Sequence, residues 1–111
     1  MLQGDIYYVE FDKGIGHEYI GKRPSLVIQS DENLGKTDVV TVIAMTSNVE
    51  NCYFNDVLLV RNETNRLNSD SVVKMNHIYS IDRSRFINKI DAVDKEILTK
   101  IKNALKKHCS L

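Results

Sequence analysis

The sequence predicts a mainly β domain finished by one C-terminal helix, a small and strongly bent antiparallel sheet or barrel. Three observations carry this expectation. Five to seven short runs of β-branched and aromatic residues are separated by polar or glycine-bearing loops. Only the final stretch has helical periodicity. The length of 111 residues, with no linker, repeat or low-complexity segment, is that of a single domain over 1–111.

Each element follows from local chemistry. The run "GDIYYVEF" (4–11) follows a glycine signal and is rich in strand formers, so it reads as the first strand. "DKGIGHEYIGK" (12–22) holds three of the five glycines and reads as a long loop. "RPSLVIQS" (23–30) is the second strand. Its proline is the only one in the chain and sits at the strand's start, where no ladder N–H is needed. The ring also pushes Arg23 toward an extended conformation. After a loop over 31–38, "VVTVIAMT" (39–46) is apolar on both faces and therefore a buried strand. "DVLLV" (56–60) and "DSVVKMN" (70–76) are two more strands, and "IYSI" and "RFINKI" are short last strands around a tight turn at "DRS". From Asp94, a good N-cap, Ile97, Ile101 and Leu105 recur every four residues, with Leu98 and Ala104 widening the apolar stripe. Lys106, Lys107 and His108 place positive charge at the helix C-terminus.

Bulk composition excludes several classes. Apolar residues make up 42% of the chain and charged ones 27%, as in globular domains. Fifteen basic residues balance fifteen acidic ones, which counts against non-specific coating of nucleic acid but not against a small basic site. Cys52 and Cys109 fit neither a disulfide framework nor a zinc spacing and read as free thiols of a reducing cytosol. The N-terminus lacks the pattern of a secretion signal, and no apolar run approaches the ~20 residues needed to cross a bilayer. A cytoplasmic protein with no membrane partner is expected.

Phosphate-binding glycine loops, metal-binding motifs and the nucleophile elbow of hydrolases are all missing from the sequence. No spacing proposes a metal site, and an enzyme built this way is expected to need no cofactor. What remains is a set of polar groups at predicted strand ends, where side chains are held by the sheet yet reach solvent. "HEYIGKRP" gathers His17, Glu18, Tyr19, Lys22 and Arg23. "AMTSN" puts Thr46, Ser47 and Asn48 where the most buried strand runs out. "KMNHIYSIDR" adds Lys74, Asn76, His77 and Tyr79. Taken singly, each has a bland reading: Arg23 as a solvated strand opener, Thr46 as a strand former beside a turn.

Taken in order, four blocks resemble the MazF/PemK family, ribosome-independent mRNA interferase toxins of bacterial toxin–antitoxin pairs. "GDIYYVEF" is similar to the family's opening strand, and "GHEYIGKRPSLVIQSD" to its G-x-E-x-x-G-x-R-P signature. "TVIAMTSN" resembles the third strand ending in threonine, and "LNSDSVVKMNHIYSID" the L-x-x-D-S-x-V segment. The resemblance covers nearly the full chain. It implies a homodimer of SH3-like barrels, in a CcdB-like architecture, that cuts single-stranded RNA without metal and is silenced by a cognate antitoxin. It also implies Arg23 and Thr46 as the catalytic pair and Glu18 as a group involved in activity or substrate contact. Lys22, Ser47, Asn48, Lys74 and Asn76 are expected to contact RNA, with Tyr19 and Tyr79 as base-stacking platforms. In the PemK branch an aspartate assigned as general base stands where this chain has Asn76, which cannot take a proton. His77 or Glu18 is therefore the expected base. The alternatives are a non-catalytic SH3-like binding module and a CcdB-like toxin acting on a protein target such as a topoisomerase. The Arg23 and Thr46 pair separates these, because a pure binding module has no reason to carry it.

Overall fold

The computed structural model describes residues 1–12 and 14–111. The loop expected over 12–22 thus includes one position, 13, outside the described residues. The apolar runs become six strands: β1 Asp5–Phe11, β2 Gly21–Val27, β3 Val39–Thr46, β4 Val57–Leu59, β5 Ser71–Asp82 and β6 Phe86–Ala92. A one-turn helix, α1, spans Asp31–Leu34, and α2 spans Lys95–Cys109. The strands form one sheet in the order β4-β5-β3-β2-β1-β6, with every pairing antiparallel. It curls into a half-barrel.

β3 lies inside the sheet because its sequence leaves no polar face. Ile43 and Met45 point into one core with Ile6, Leu26, Val73 and Met75, while Val40, Val42 and Ala44 point into the other with Val9, Phe11 and Val27. This alternation is the two-residue period of a strand buried on both sides. α2 seals the first core. Ile101 is fully buried, and Ile97, Ala104 and Leu105 pack beside it, as the four-residue spacing requires. Truncating Ile101 to alanine removes about 2–5 kcal/mol of stability. The Asp94 carboxylate accepts the Ile97 backbone N–H at 2.9 Å and caps the helix. Gly4, with φ +94°, lets the chain pass beneath α2, where an added Cβ would stand 3.3 Å from Leu98.

Three boundaries differ from expectation. β2 starts at Gly21 and stops at Val27, because the N–H groups of Ile28 and Gln29 both turn to the Thr41 carbonyl. A turn of helix replaces part of the expected loop at 31–38. The largest difference is β5, one strand of twelve residues where two were expected. Its register against β3 slips between the pairs Ile43–Ile78 and Met45–Val73, so Lys74 to His77 face Ala44 alone. This bulge bends the strand and re-aims its side chains, and the adjacent polar residues Asn76 and His77 made one strand read as two. Cys52 and Cys109 are free and exposed.

Candidate active site

The site grows from strand register. β2 and β3 pair Ser25 with Ala44, Leu26 with Ile43 and Val27 with Val42. Extending that register two residues toward the strand ends sets Arg23 against Thr46. Directly opposed residues of antiparallel strands share a face, so the guanidinium and the hydroxyl sit on one wall. Arg23 is partly exposed, and its Nε donates weakly to the Ile20 carbonyl at 3.4 Å. Among the described residues no carboxylate pairs with it, and its two terminal nitrogens have no protein acceptor. The Thr46 hydroxyl accepts the Asn48 backbone N–H at 3.2 Å, which fixes its oxygen and leaves its proton to donate elsewhere.

Three rings hold these groups from behind. The Arg23 guanidinium carbon lies 3.9 Å from the centre of the Tyr19 ring. On the other face of that ring the His77 imidazole stacks at 3.7 Å with the planes 3° apart. Tyr79 closes the arrangement. Its hydroxyl lies 2.9 Å from His77 Nδ1 and accepts the Tyr19 backbone N–H at 3.1 Å, while its ring rests on Phe11. Burial lowers the His77 pKa below its usual 6.5, and the positive charges of Lys74 and Arg23 push the same way. His77 is therefore a neutral imidazole at pH 7, free to take a proton. Burial raises the Tyr19 pKa above 10.0, against the opposing pull of Arg23, Lys74 and the nearby Thr46 hydroxyl. That oxygen is shut from solvent. Although Thr46 stands close enough to favour the phenolate, no group meets hydrogen-bond geometry with it.

In front of Arg23 opens a groove of about 480 Å³. Lys22 and Ser47 line it, joined by Tyr8, Asn68 and Ser71, which no local pattern singled out. Asn68 donates to the Tyr8 hydroxyl at 3.1 Å, a contact between residues 60 positions apart that has no local signature.

Other expected site residues lie elsewhere or do other work. Lys74 is buried, and all three of its ammonium protons are used: on the Asn51 carbonyl, the Asn51 side-chain oxygen and the Asp56 carboxylate. The expectation that it grips RNA is corrected, because it has no donor left to offer. Burial pushes the Asp56 carboxyl up, but hydrogen bonds from Lys74, Met75 and Tyr53 outweigh it and hold the pKa below the usual range. Tyr19 has both ring faces covered and cannot stack a base as it stands. The Tyr79 ring is likewise committed to the core. Glu18 is exposed and accepts the Ile15 backbone N–H at 2.7 Å, a brace within the loop. Asn76 is exposed beside Tyr53, Phe54 and His108, outside the groove. Asn48 is exposed at the end of β3. Among the described residues no three His, Cys, Asp or Glu side chains converge on a position for a metal ion. No described helix is long and apolar enough to cross a membrane.

Comparison with known proteins identifies the family and the fold. Residues 2–109 match the family described as PemK-like, MazF-like toxin of type II toxin-antitoxin system. The chain is 32% identical over 117 aligned positions to endoribonuclease MazF9 of Mycobacterium tuberculosis, covering 100% of this chain and 98% of that one. It is 29% identical over 103 residues to endoribonuclease EndoA of Bacillus subtilis, covering 93% and 89%. Its fold superposes on MazF from Deinococcus radiodurans with a TM-score of 0.82 at 24% identity, covering 100% and 97%. A mycobacterial endoribonuclease solved with its cognate antitoxin gives 0.80 at 17% identity, covering 100% and 96%. The six-stranded half-barrel with its C-terminal helix is thus a shared architecture, and the chain belongs to the PemK-like, MazF-like toxins of type II toxin–antitoxin systems.

Proposed function

We propose that this chain is an endoribonuclease toxin that cuts single-stranded RNA at short sequences in the cytoplasm, as a homodimer held inactive by a cognate antitoxin. One observation carries the reading: a guanidinium without a carboxylate partner lines a groove, on a strand whose register, carried two residues on, sets it against the Thr46 hydroxyl. A phosphate fits that position. RNA supplies its own nucleophile, the ribose 2′-hydroxyl, so the protein needs only to position and stabilise. The 2′-oxygen attacks phosphorus as its proton passes to a base, and the bond to the 5′-oxygen breaks as that oxygen gains a proton. The products are a 2′,3′-cyclic phosphate and a free 5′-hydroxyl. Arg23 donates its planar fork to the non-bridging oxygens as their charge grows. Thr46 donates to the phosphate or the 2′-oxygen. His77 is the better base of the two expected, because it is neutral and packed within the cluster whereas Glu18 braces its own loop. That role requires the tautomer protonated on Nδ1, whose proton the Tyr79 oxygen accepts, leaving Nε2 bare.

The test incubates the purified protein with mixed-sequence single-stranded RNA in excess EDTA. Cleavage to fragments with cyclic phosphate ends, reduced about 10²–10³-fold in Arg23→Ala, is the expected result. Intact RNA across diverse sequences with the wild-type protein overturns the reading.

A further inference from the structure

The groove holds a second polar pair that the cleavage chemistry does not use. The Asn68 amide donates to the Tyr8 hydroxyl at 3.1 Å, and both residues line the groove that Arg23 lines. Solvent reaches both: Asn68 is exposed and Tyr8 half-buried. Their mutual bond leaves capacity to spare, since the amide keeps its oxygen and one N–H and the phenol keeps its proton. Turning the amide over swaps these roles, yet the pair still offers a donor beside an acceptor. Phosphate oxygens only accept, so the acceptor has no use against an RNA backbone. The edge of a nucleobase presents both kinds of group, and unpaired bases are read by such contacts.

The surroundings suit a base as well. Ile20, 57% exposed, and Pro24 give the groove an apolar surface for the face of a ring. Pro24 stands directly opposite Tyr8 in the β1–β2 ladder, so that surface adjoins the polar pair. Asn68 is firmly held. Leu67 before it is buried and gives its N–H to the Asn65 side-chain oxygen at 3.1 Å, and Arg61 donates to the Asn68 carbonyl at 3.3 Å. A reading group fixed in this way loses little freedom on binding. Among the described residues no carboxylate lines this groove, whereas Asp12, Glu18 and Asp82 line the cavity next to Phe11. Of the two hollows, the first is the one that accepts a polyanion.

We infer that Tyr8 and Asn68 form a base-reading subsite, in which the phenol and the amide bond the edge of one unpaired base neighbouring the phosphate at Arg23. The inference rests on the RNA-substrate reading above and deepens it. Base contact, first expected of Tyr19 and Tyr79, passes to Tyr8, and Asn68 becomes a specificity residue. The two side chains come from positions 60 residues apart, so neither reads the base without the other's strand or loop in place.

The test selects binders from a randomised pool of 2′-O-methyl RNA, which cannot be cut, and sequences them. Wild type is compared with Asn68→Ala and with Tyr8→Phe, which keeps the ring and removes only the hydroxyl. Wild type should enrich one base at one position. Both variants should flatten that same position, with discrimination about tenfold lower, while other positions and the melting temperature stay near wild type. A structural role alone would weaken binding at every position alike. Such a uniform loss overturns the inference, and so does enrichment unchanged in both variants. Wild type that enriches no base anywhere overturns it too and leaves the groove to a protein partner. A protein that selects its base in this way but leaves unmodified RNA of that sequence uncut would sink the nuclease reading alone.

Discussion

Two cations sit just past the last pairs of two strand ladders, and their fates differ. β4 and β5 pair Val57 with Val73, and one further residue sets Asp56 against Lys74. β2 and β3 pair Ser25 with Ala44, and two further residues set Arg23 against Thr46. The geometry is alike, but the partners are not. Lys74 faces a carboxylate and is neutralised, with its side chain 7% exposed and that of Asp56 8%. Arg23 faces a hydroxyl, which gives it no counter-charge, and rests partly exposed on an aromatic ring. The residue across the ladder therefore decides whether a cation is spent on folding or kept for a ligand. Lys74 also fastens the segment after β3 to β5 through Asn51 and Asp56, so the spent cation shapes the wall on which the kept one works.

The largest effect follows from breaking the closed pair. In Asp56→Ala the Lys74 ammonium is left buried without its counter-charge, and stability should fall by about 3–5 kcal/mol, read from a denaturant midpoint. The double change Lys74→Met with Asp56→Leu should recover most of that loss, since a buried ion pair is often replaceable by apolar residues of similar size. If Asp56→Ala unfolds at the wild-type midpoint, Lys74 is not the structural cation described here.

His77 lies under the influence of both cations, and its titration compares them. Its lowered pKa reflects burial first, then Lys74 and Arg23, with Asp56 opposing and His17 adding slightly. As a base it works when neutral. Cleavage should therefore rise with pH along an acid limb centred below 6.5 and be flat at neutrality. His77→Ala should lose that limb and about a hundredfold or more in rate. A limb that survives in His77→Ala removes it from the mechanism. The same shift enters stability. The unfolded chain binds the His77 proton more readily, so the protein loses stability as pH falls from 6.5 through the folded value, and gains nothing from this group above it.

Replacing Arg23 by lysine sharpens the contrast from the other side. Charge is preserved, but the planar fork and the flat seat on Tyr19 are lost. A rate about thirtyfold lower is expected, smaller than for alanine, with the melting temperature near wild type. Full activity in Arg23→Lys would mean that charge alone suffices at this position.

The comparison also explains what could be read from the sequence. β1, β3 and α2 were legible because local patterning sets them: period two with both faces apolar in "VVTVIAMT", period near four from Asp94 onward. Thr46 was legible as a strand end, whereas Arg23, expected to open β2, lies two residues inside it. The fate of Lys74 was not, because it depends on Asp56, 18 residues away, through a register that no local pattern encodes. The bulge at Lys74–His77 hid the continuity of β5 for a related reason, since the consecutive polar pair Asn76 and His77 breaks the alternation a regular strand would keep. The stacking of Tyr19 on His77 was not legible, because it joins two elements far apart in the chain.

The smallest effect belongs to Lys22, the neighbour of Arg23 and a wall of the same groove. It is exposed, its charge is screened by salt, and Glu10 stands directly across from it on β1. Such a lysine adds attraction to the RNA backbone without fixing the reacting phosphate. Lys22→Ala should weaken RNA binding only two- to fivefold or so and lower the slope of log affinity against log salt by about one, with the rate at saturating RNA unchanged. A loss as large as that of Arg23→Ala would mean that the two neighbouring cations act as one unit. The role of Arg23 would then owe less to its opposition to Thr46 than to the net charge at the head of β2.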